Sequence, residues 1–253
     1  MALPEAEHER RRIRTPIPSV GDSPGSKMLP AVLSVIAGST DVIGFLGLGG
    51  LFTAHITGNL VILAAHLVSG GEAQIAAMLS VPVFVVVLGA TRLLAGGLES
   101  LGLTSLQPLL LLQFLLLTGV FVLCATGSSR IDPNAPNGIL AGMLGVAAMA
   151  VQNALAQISL KGAPTTAVMT TNITRFMMDI GEVVLGRDPK SVGEASGRAR
   201  RTWPAIIGFA VGCALGAACE TSFGLRSLAL PASLALLAVV MAPMEDGDGG
   251  QRK

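Results

Sequence analysis

The chain has 253 residues, 51% of them hydrophobic and 13% charged, with a mean hydropathy of +0.66 and a formal net charge of +1. A water-soluble domain carries about 25% charged residues, so there is too little charge here to coat a surface facing water, and a disordered chain is excluded on the same ground. The 3 cysteines cannot build a disulfide framework. The composition implies an all-α, polytopic membrane bundle.

Residues 1–27 read as a disordered cytoplasmic tail. Arg10, Arg11, Arg12 and Arg14 are followed by a polar stretch broken by Pro16, Pro18 and Pro24, unlike the apolar core of a signal peptide. A helix crossing the hydrocarbon core needs about 20 apolar residues. Stretches 29–50, 75–98, 106–126, 139–158, 203–222 and 225–243 meet that length, each bounded by turn-formers or charges. Residues 28–243 thus form a transmembrane domain, and the acidic, glycine-rich residues 244–253 a second disordered cytoplasmic tail. Six crossings with the N-terminus inside place all but Arg130 and Arg226 of the 17 Lys and Arg residues on the cytoplasmic side, as the positive-inside rule requires. Trp203, next after Arg200, Arg201 and Thr202, suits an interfacial anchor, with simple packing as the alternative. Gly208, Gly212 and Gly216 recur at spacing four along one helical face, which suits close helix contact; intramolecular packing is the preferred reading and homodimerisation the other. Cys124, Cys213 and Cys219 read as small apolar residues.

Two further segments are apolar yet studded with polar groups. Between the first and second stretches lies Phe52-Thr53-Ala54-His55-Ile56-Thr57-Gly58-Asn59, and between the fourth and fifth Thr165-Thr166-Ala167-Val168-Met169-Thr170-Thr171-Asn172. With Asn59 set against Asn172, Thr53, Ala54, Thr57 and Asn59 match Thr166, Ala167, Thr170 and Asn172. Each word follows a long stretch with a polar residue 12 or 13 positions upstream, Asp41 before Thr53 and Asn153 before Thr166. This reads as an internal repeat of two halves, 29–126 and 139–243, with three crossings each, so that the second half is inverted. Inverted halves with interrupted helices near the midplane are a recurring transporter plan. The rival topology lets both words span, giving eight crossings and leaving Arg175 in the bilayer. Placing Arg175, Asp179 and Glu182 at mid-depth would cost about 2.5–3.5 kcal/mol each, which favours six crossings plus two broken or re-entrant segments.

Through these words the chain resembles the YoaK-like family of bacterial multi-pass membrane proteins, a family defined by a domain of unknown function. The matching residues are Ala37-Gly38-Ser39-Thr40-Asp41 to Phe45, the word Phe52 to Asn59, Gln152-Asn153-Ala154, Pro164-Thr165-Thr166 and Thr170-Thr171-Asn172, and the likeness covers about residues 28–243. Thr171 stands where the family's second word often has glycine. The resemblance implies residence in the bacterial inner membrane and no established activity.

The candidate solute or ion path is lined by Asp41, Thr53, His55, Thr57, Asn59, Gln152, Asn153, Thr166, Thr170 and Asn172. Asp41 must face the bundle interior, be paired or be protonated, and it serves either as a proton or cation site or as a partner for broken backbone. His55 suits proton relay, and Gln152 and Asn153 suit either solute contact or helix-to-helix bonding. Arg175 and Asp179 have the spacing of an intrahelical ion pair. No metal site, cofactor or nucleic-acid partner is expected, and no catalytic signature occurs, so the chain reads as a non-enzyme. Its expected partners are the lipid bilayer and a small solute or ion. The leading reading is a secondary transporter or permease; the alternative is a non-transporting membrane scaffold or accessory protein whose polar words only lock helices. A lipid-acting intramembrane enzyme is a third reading, which requires His55 and Asp41 to meet.

Overall fold

The computed structural model describes residues 24–69, 75–126, 132–186 and 188–242. Most of the two expected tails, and Arg130, lie outside the described residues. The fold is all helical: α1 (Pro24–Gly47), α2 (Ile56–Ser69), α3 (Ile75–Ser100), α4 (Leu106–Ala125), α5 (Pro136–Ser159), α6 (Met169–Leu185), α7 (Pro189–Phe223), a 3₁₀ turn (Gly224–Leu228) and α8 (Ala229–Met241).

Local chemistry sets these limits. The first expected stretch, 29–50, is displaced: the helix starts at Pro24, inside the expected tail, and stops at Gly47. Gly49 (φ 71°) and Gly50 (φ 89°) then turn the chain back through the left-handed region, which glycine enters at little cost. The expected 203–222 stretch is only the second part of α7, whose 35 residues extend about 52 Å at 1.5 Å per residue. Its polar first turns form because the Asp188 carboxylate accepts from the Lys190 and Ser191 amides and Pro189 occupies the first turn. Gly224 (φ 59°) ends α7. The expected 225–243 stretch is correspondingly split into the 3₁₀ turn and an α8 of 13 residues.

Five segments among the described residues are long and apolar enough to cross a membrane: Met28–Gly47, Ile75–Ser100, Leu106–Ala125, Pro136–Ser159 and the 53-residue run Pro189–Met241, which includes both of the last two expected stretches. In α1 and α5, 61% of the most apolar window is buried, against 17% in α3; α1 and α5 are the core and α3 turns most of its apolar residues outward. Outward apolar side chains are what a lipid solvent accepts.

The packing is pairwise. α1 lies against α7 and α8, and α5 against α3 and α4; α2 packs on α3, α6 on α7, and α4 meets α8. The α1–α7 seam is the tightest. A Cβ on Gly208 would lie 2.7 Å from the Ala31 carbonyl oxygen, one on Gly212 would strike the Val35 carbonyl oxygen, and one on Gly216 would lie 2.9 Å from Ser39 Cα. From the other side, a Cβ on Gly38 would strike the Phe209 carbonyl oxygen. The glycine stripe therefore serves packing within the chain, where it lets two backbones meet.

Candidate functional site

Two irregular segments, residues 48–55 ahead of α2 and 160–168 ahead of α6, carry the polar words. Each leaves backbone groups without helical partners, and an orphaned buried amide costs about 1–3 kcal/mol. Side chains from the core helices supply the missing bonds.

At the first segment the partner is Asp41 of α1, 4% exposed. Its Oδ1 accepts from the Thr53 amide at 2.7 Å, the Ala54 amide at 2.8 Å and the Thr53 hydroxyl at 3.3 Å. Its Oδ2 lies 2.6 Å from His55 Nδ1. The carboxylate thus receives the start of α2, the end at which a helix favours negative charge. The His55 side chain is 39% exposed and meets Phe52 and Phe209 edge-on, with ring centroids 6.1 and 5.4 Å away. A half-open imidazole therefore touches a carboxylate buried behind it, and the two are within direct proton-sharing distance.

At the second segment the partner is Gln152 of α5. Its Nε2 donates to the Thr166 hydroxyl and to the Leu33 carbonyl of α1, both at 2.9 Å, and its Oε1 accepts from Gln113 Nε2 of α4 at 2.6 Å. Gln113 and Gln152 are fully buried, so this network ties three core helices to the second segment. Asn153, expected as the polar partner upstream of Thr166, instead donates to the Met149 carbonyl of its own helix. Neighbouring residues on a helix point about 100° apart, and it is Gln152 that faces the segment.

The two asparagines perform the same act. Asn59 accepts from the Phe52 amide at 2.9 Å and donates to the Phe52 carbonyl at 2.7 Å. Asn172 accepts from the Thr165 amide at 3.2 Å and donates to the Thr165 carbonyl at 2.6 Å. Each is a two-bond clasp on the backbone seven residues earlier, and both asparagines are fully buried. Asn59 also donates to Ser80 of α3 at 3.0 Å. The same register explains Thr171. A Cβ on Gly58 would lie 2.8 Å from the Phe52 ring, so that glycine accommodates an aromatic side chain. In the second segment the corresponding residue is the small Thr165, and a threonine fits.

Thr57 and Thr170 are exposed and join neither cluster. Asp179 does not pair with Arg175. It is bound by Arg198 of α7, whose Nε and Nη2 lie 2.8 and 2.7 Å from its Oδ1, because α7 runs directly alongside α6 and offers a planar fork. Among the described residues no three His, Cys, Asp or Glu side chains converge.

The clusters enter from opposite ends of the core. Asp41 and Leu33 are separated by about 12 Å along α1 at 1.5 Å per residue. On α5, Gly145 lies beside the Thr53 methyl, and Gln152, about 10 Å further along the helix, holds Thr166. Between these levels Ile36, Ala37, Ala148 and Met149 are fully buried.

A family described as a protein of unknown function (DUF1275) matches residues 29–241. The chain belongs to that family. The match takes in both irregular segments, both clasps and the α1–α7 seam of this DUF1275 member. No curated protein and no solved structure matches the chain.

The clasps can be tested singly. Leucine at Asn59 leaves the Phe52 amide and carbonyl unpaired and removes the bond to Ser80; Phe52 is half-buried, so the loss is about 2–3 kcal/mol, the low end of 1–3 kcal/mol for each of the two groups. Leucine at Asn172 is expected to cost about as much through Thr165. Thermal unfolding in detergent should show both variants well below the parent, and a Thr57→Ala control at the parent value.

Proposed function

We propose that this chain is a secondary transporter or permease of the bacterial inner membrane, akin to YoaK-like proteins, with six crossings, both termini cytoplasmic and two inverted halves. The halves are α1–α4 and α5–α8, and the two irregular segments are the opposite mouths of one path. The observation that carries this reading is the pair of asparagine-clasped segments entering the core from opposite ends, about 10–12 Å apart in depth. Irregular backbone is tolerated at membrane depth where protein buries it or a cavity lines it, and paired broken helices are a common feature of transporters.

Two further features support it. Exchanging α1–α4 for α5–α8 in order carries each packing partnership onto another that is present: α1 with α7 becomes α5 with α3, α1 with α8 becomes α5 with α4, and α2 with α3 becomes α6 with α7. Asp41 and His55 then supply a carboxylate–imidazole pair at the first mouth, a natural place for proton or cation coupling. The packed layer of Ile36, Ala37, Ala148 and Met149 is the closed barrier between the mouths.

That same layer favours the second reading, a non-transporting scaffold in which the polar words only fasten helices. Purified protein in proteoliposomes, assayed for current and internal pH against a broad panel of metabolites and ions, separates the two. A transporter gives solute-dependent flux that Asp41→Asn abolishes while the protein still inserts. Absence of flux across the whole panel, with Asp41→Asn lowering thermal stability alone, establishes the scaffold and overturns the transporter.

A further inference from the structure

Beside the second irregular segment, where α6 crosses the polar first turns of α7, lies an open cavity of about 420 Å³. Its walls carry Arg175, Asp179, Arg198 and Arg201, with Asn172 and Thr174 at one side. The charges are unbalanced. Arg198 is committed to Asp179, which is 7% exposed and takes both guanidinium contacts on one oxygen. Arg175 and Arg201 have no ion pair or hydrogen bond among the described residues. Glu182 and Glu194 stand near Arg198, but neither lines the cavity, and Glu182 is bonded to Ser191 at 2.8 Å. Three guanidiniums therefore face one carboxylate around a space large enough for a small polyatomic anion.

We infer that this cavity is a binding site for a phosphate-bearing anion, held by Arg175 of α6 and Arg201 of α7 and positioned by the Arg198–Asp179 pair. The planar fork of arginine matches two phosphate oxygens at once, and two such forks on separate helices line the one cavity. Arg198 is fixed by Asp179 and close to neutral as a pair, so the surplus positive charge in the cavity is that of Arg175 and Arg201. The Asn172 amide is spent on its clasp, leaving the Thr174 hydroxyl as the neutral donor in the wall. The phosphate can come from an anionic lipid headgroup, which basic residues beside a membrane end attract, or from a soluble phosphate compound. The inference stands on these arginines and does not depend on transport.

Titration calorimetry on the full chain in neutral detergent tests it with two probes, dioctanoyl phosphatidylglycerol and inorganic pyrophosphate. Both Arg175→Gln and Arg201→Gln are expected to weaken binding tenfold or more. Arg200→Gln is expected to leave it unchanged, because Arg200 is exposed on the same helix turn but does not line the cavity. Binding of the lipid alone identifies a headgroup site, and binding of both probes identifies recognition of the phosphate itself; either supports the inference. Unchanged melting temperatures will show that the variants fold, as expected for exposed, unpaired arginines. Saturable binding of neither probe, or an equal loss in Arg200→Gln, overturns it in favour of diffuse attraction to a basic surface.

Discussion

Gly212→Leu is expected to unfold the protein or separate α7 from α1. A Cβ at this position meets the Val35 carbonyl oxygen, with Val35 Cα 2.9 Å away. Side chains that overfill a core usually cost 1–3 kcal/mol because neighbouring side chains can yield. Here the obstacle is backbone inside α1, the helix that also packs against α8 and α5. The expected cost is therefore above that range, more than about 3 kcal/mol. Gly197→Ala is the matched control: its Cβ would meet nothing within 4 Å, and alanine is the better helix former by about 0.5–1 kcal/mol. Thermal unfolding in detergent with size-exclusion of the soluble fraction should show loss of the monodisperse peak for Gly212→Leu and a slight gain for Gly197→Ala. A parent-like melting temperature for Gly212→Leu would mean that the two backbones do not touch.

The second large effect is expected at Asp41. Alanine there strands the Thr53 and Ala54 amides and leaves His55 without its partner. At about 1–3 kcal/mol for each orphaned buried donor, the loss is on the order of 3 kcal/mol or more. Asparagine keeps an oxygen that can accept from both amides and gives up only the charge, so it is expected to cost about half as much. The His55 ring is 39% exposed but the Asp41 side chain only 5%, so the useful replacement is glutamine, whose side-chain amide can still donate to the buried Oδ2. His55→Gln is accordingly expected to be nearly neutral in thermal unfolding while the two Asp41 variants are not. Equal losses for alanine and asparagine would assign the role of Asp41 to its charge and remove the backbone anchor from the account.

These expectations draw on parts of the molecule that the sequence revealed to different degrees. The stretches 75–98, 106–126 and 139–158 became helices at 75–100, 106–125 and 136–159, since turn-formers on both sides bounded each apolar run. The α7 start was not legible as a span limit, because hydropathy marks where lipid is tolerated, whereas the helix is set by the Asp188 cap fifteen residues before the apolar part begins at residue 203. Asp41 was legible as a carboxylate in need of an interior place or a partner, with broken backbone as one of its two readings, but its meeting with the Thr53 and Ala54 amides needed the turn at Gly49 and Gly50. The asparagine clasps were not legible, because their partners are main-chain groups that every residue possesses. Gln113 carried a readable signal, an amide between Leu112 and Phe114 in an otherwise apolar stretch, and its partner Gln152 could be told from Asn153 only once the helix rotation was known. The Arg198–Asp179 pair bridges two helices and has no local spacing to show it.

The length of α7 has a mechanical consequence. A single helix reaches from Arg198 at the basic cavity to Phe209 against His55, about 16 Å at 1.5 Å per residue, and continues along the glycine contacts with α1. Phe209 sits within those contacts, its carbonyl oxygen against Gly38, so the seam that clamps α7 to α1 also holds the ring that meets His55. The one interior joint is Pro204, which cannot donate to the Arg200 carbonyl and so weakens the shaft between the two ends. A bend at that joint would shift the arginine end while the clamped end stays with α1.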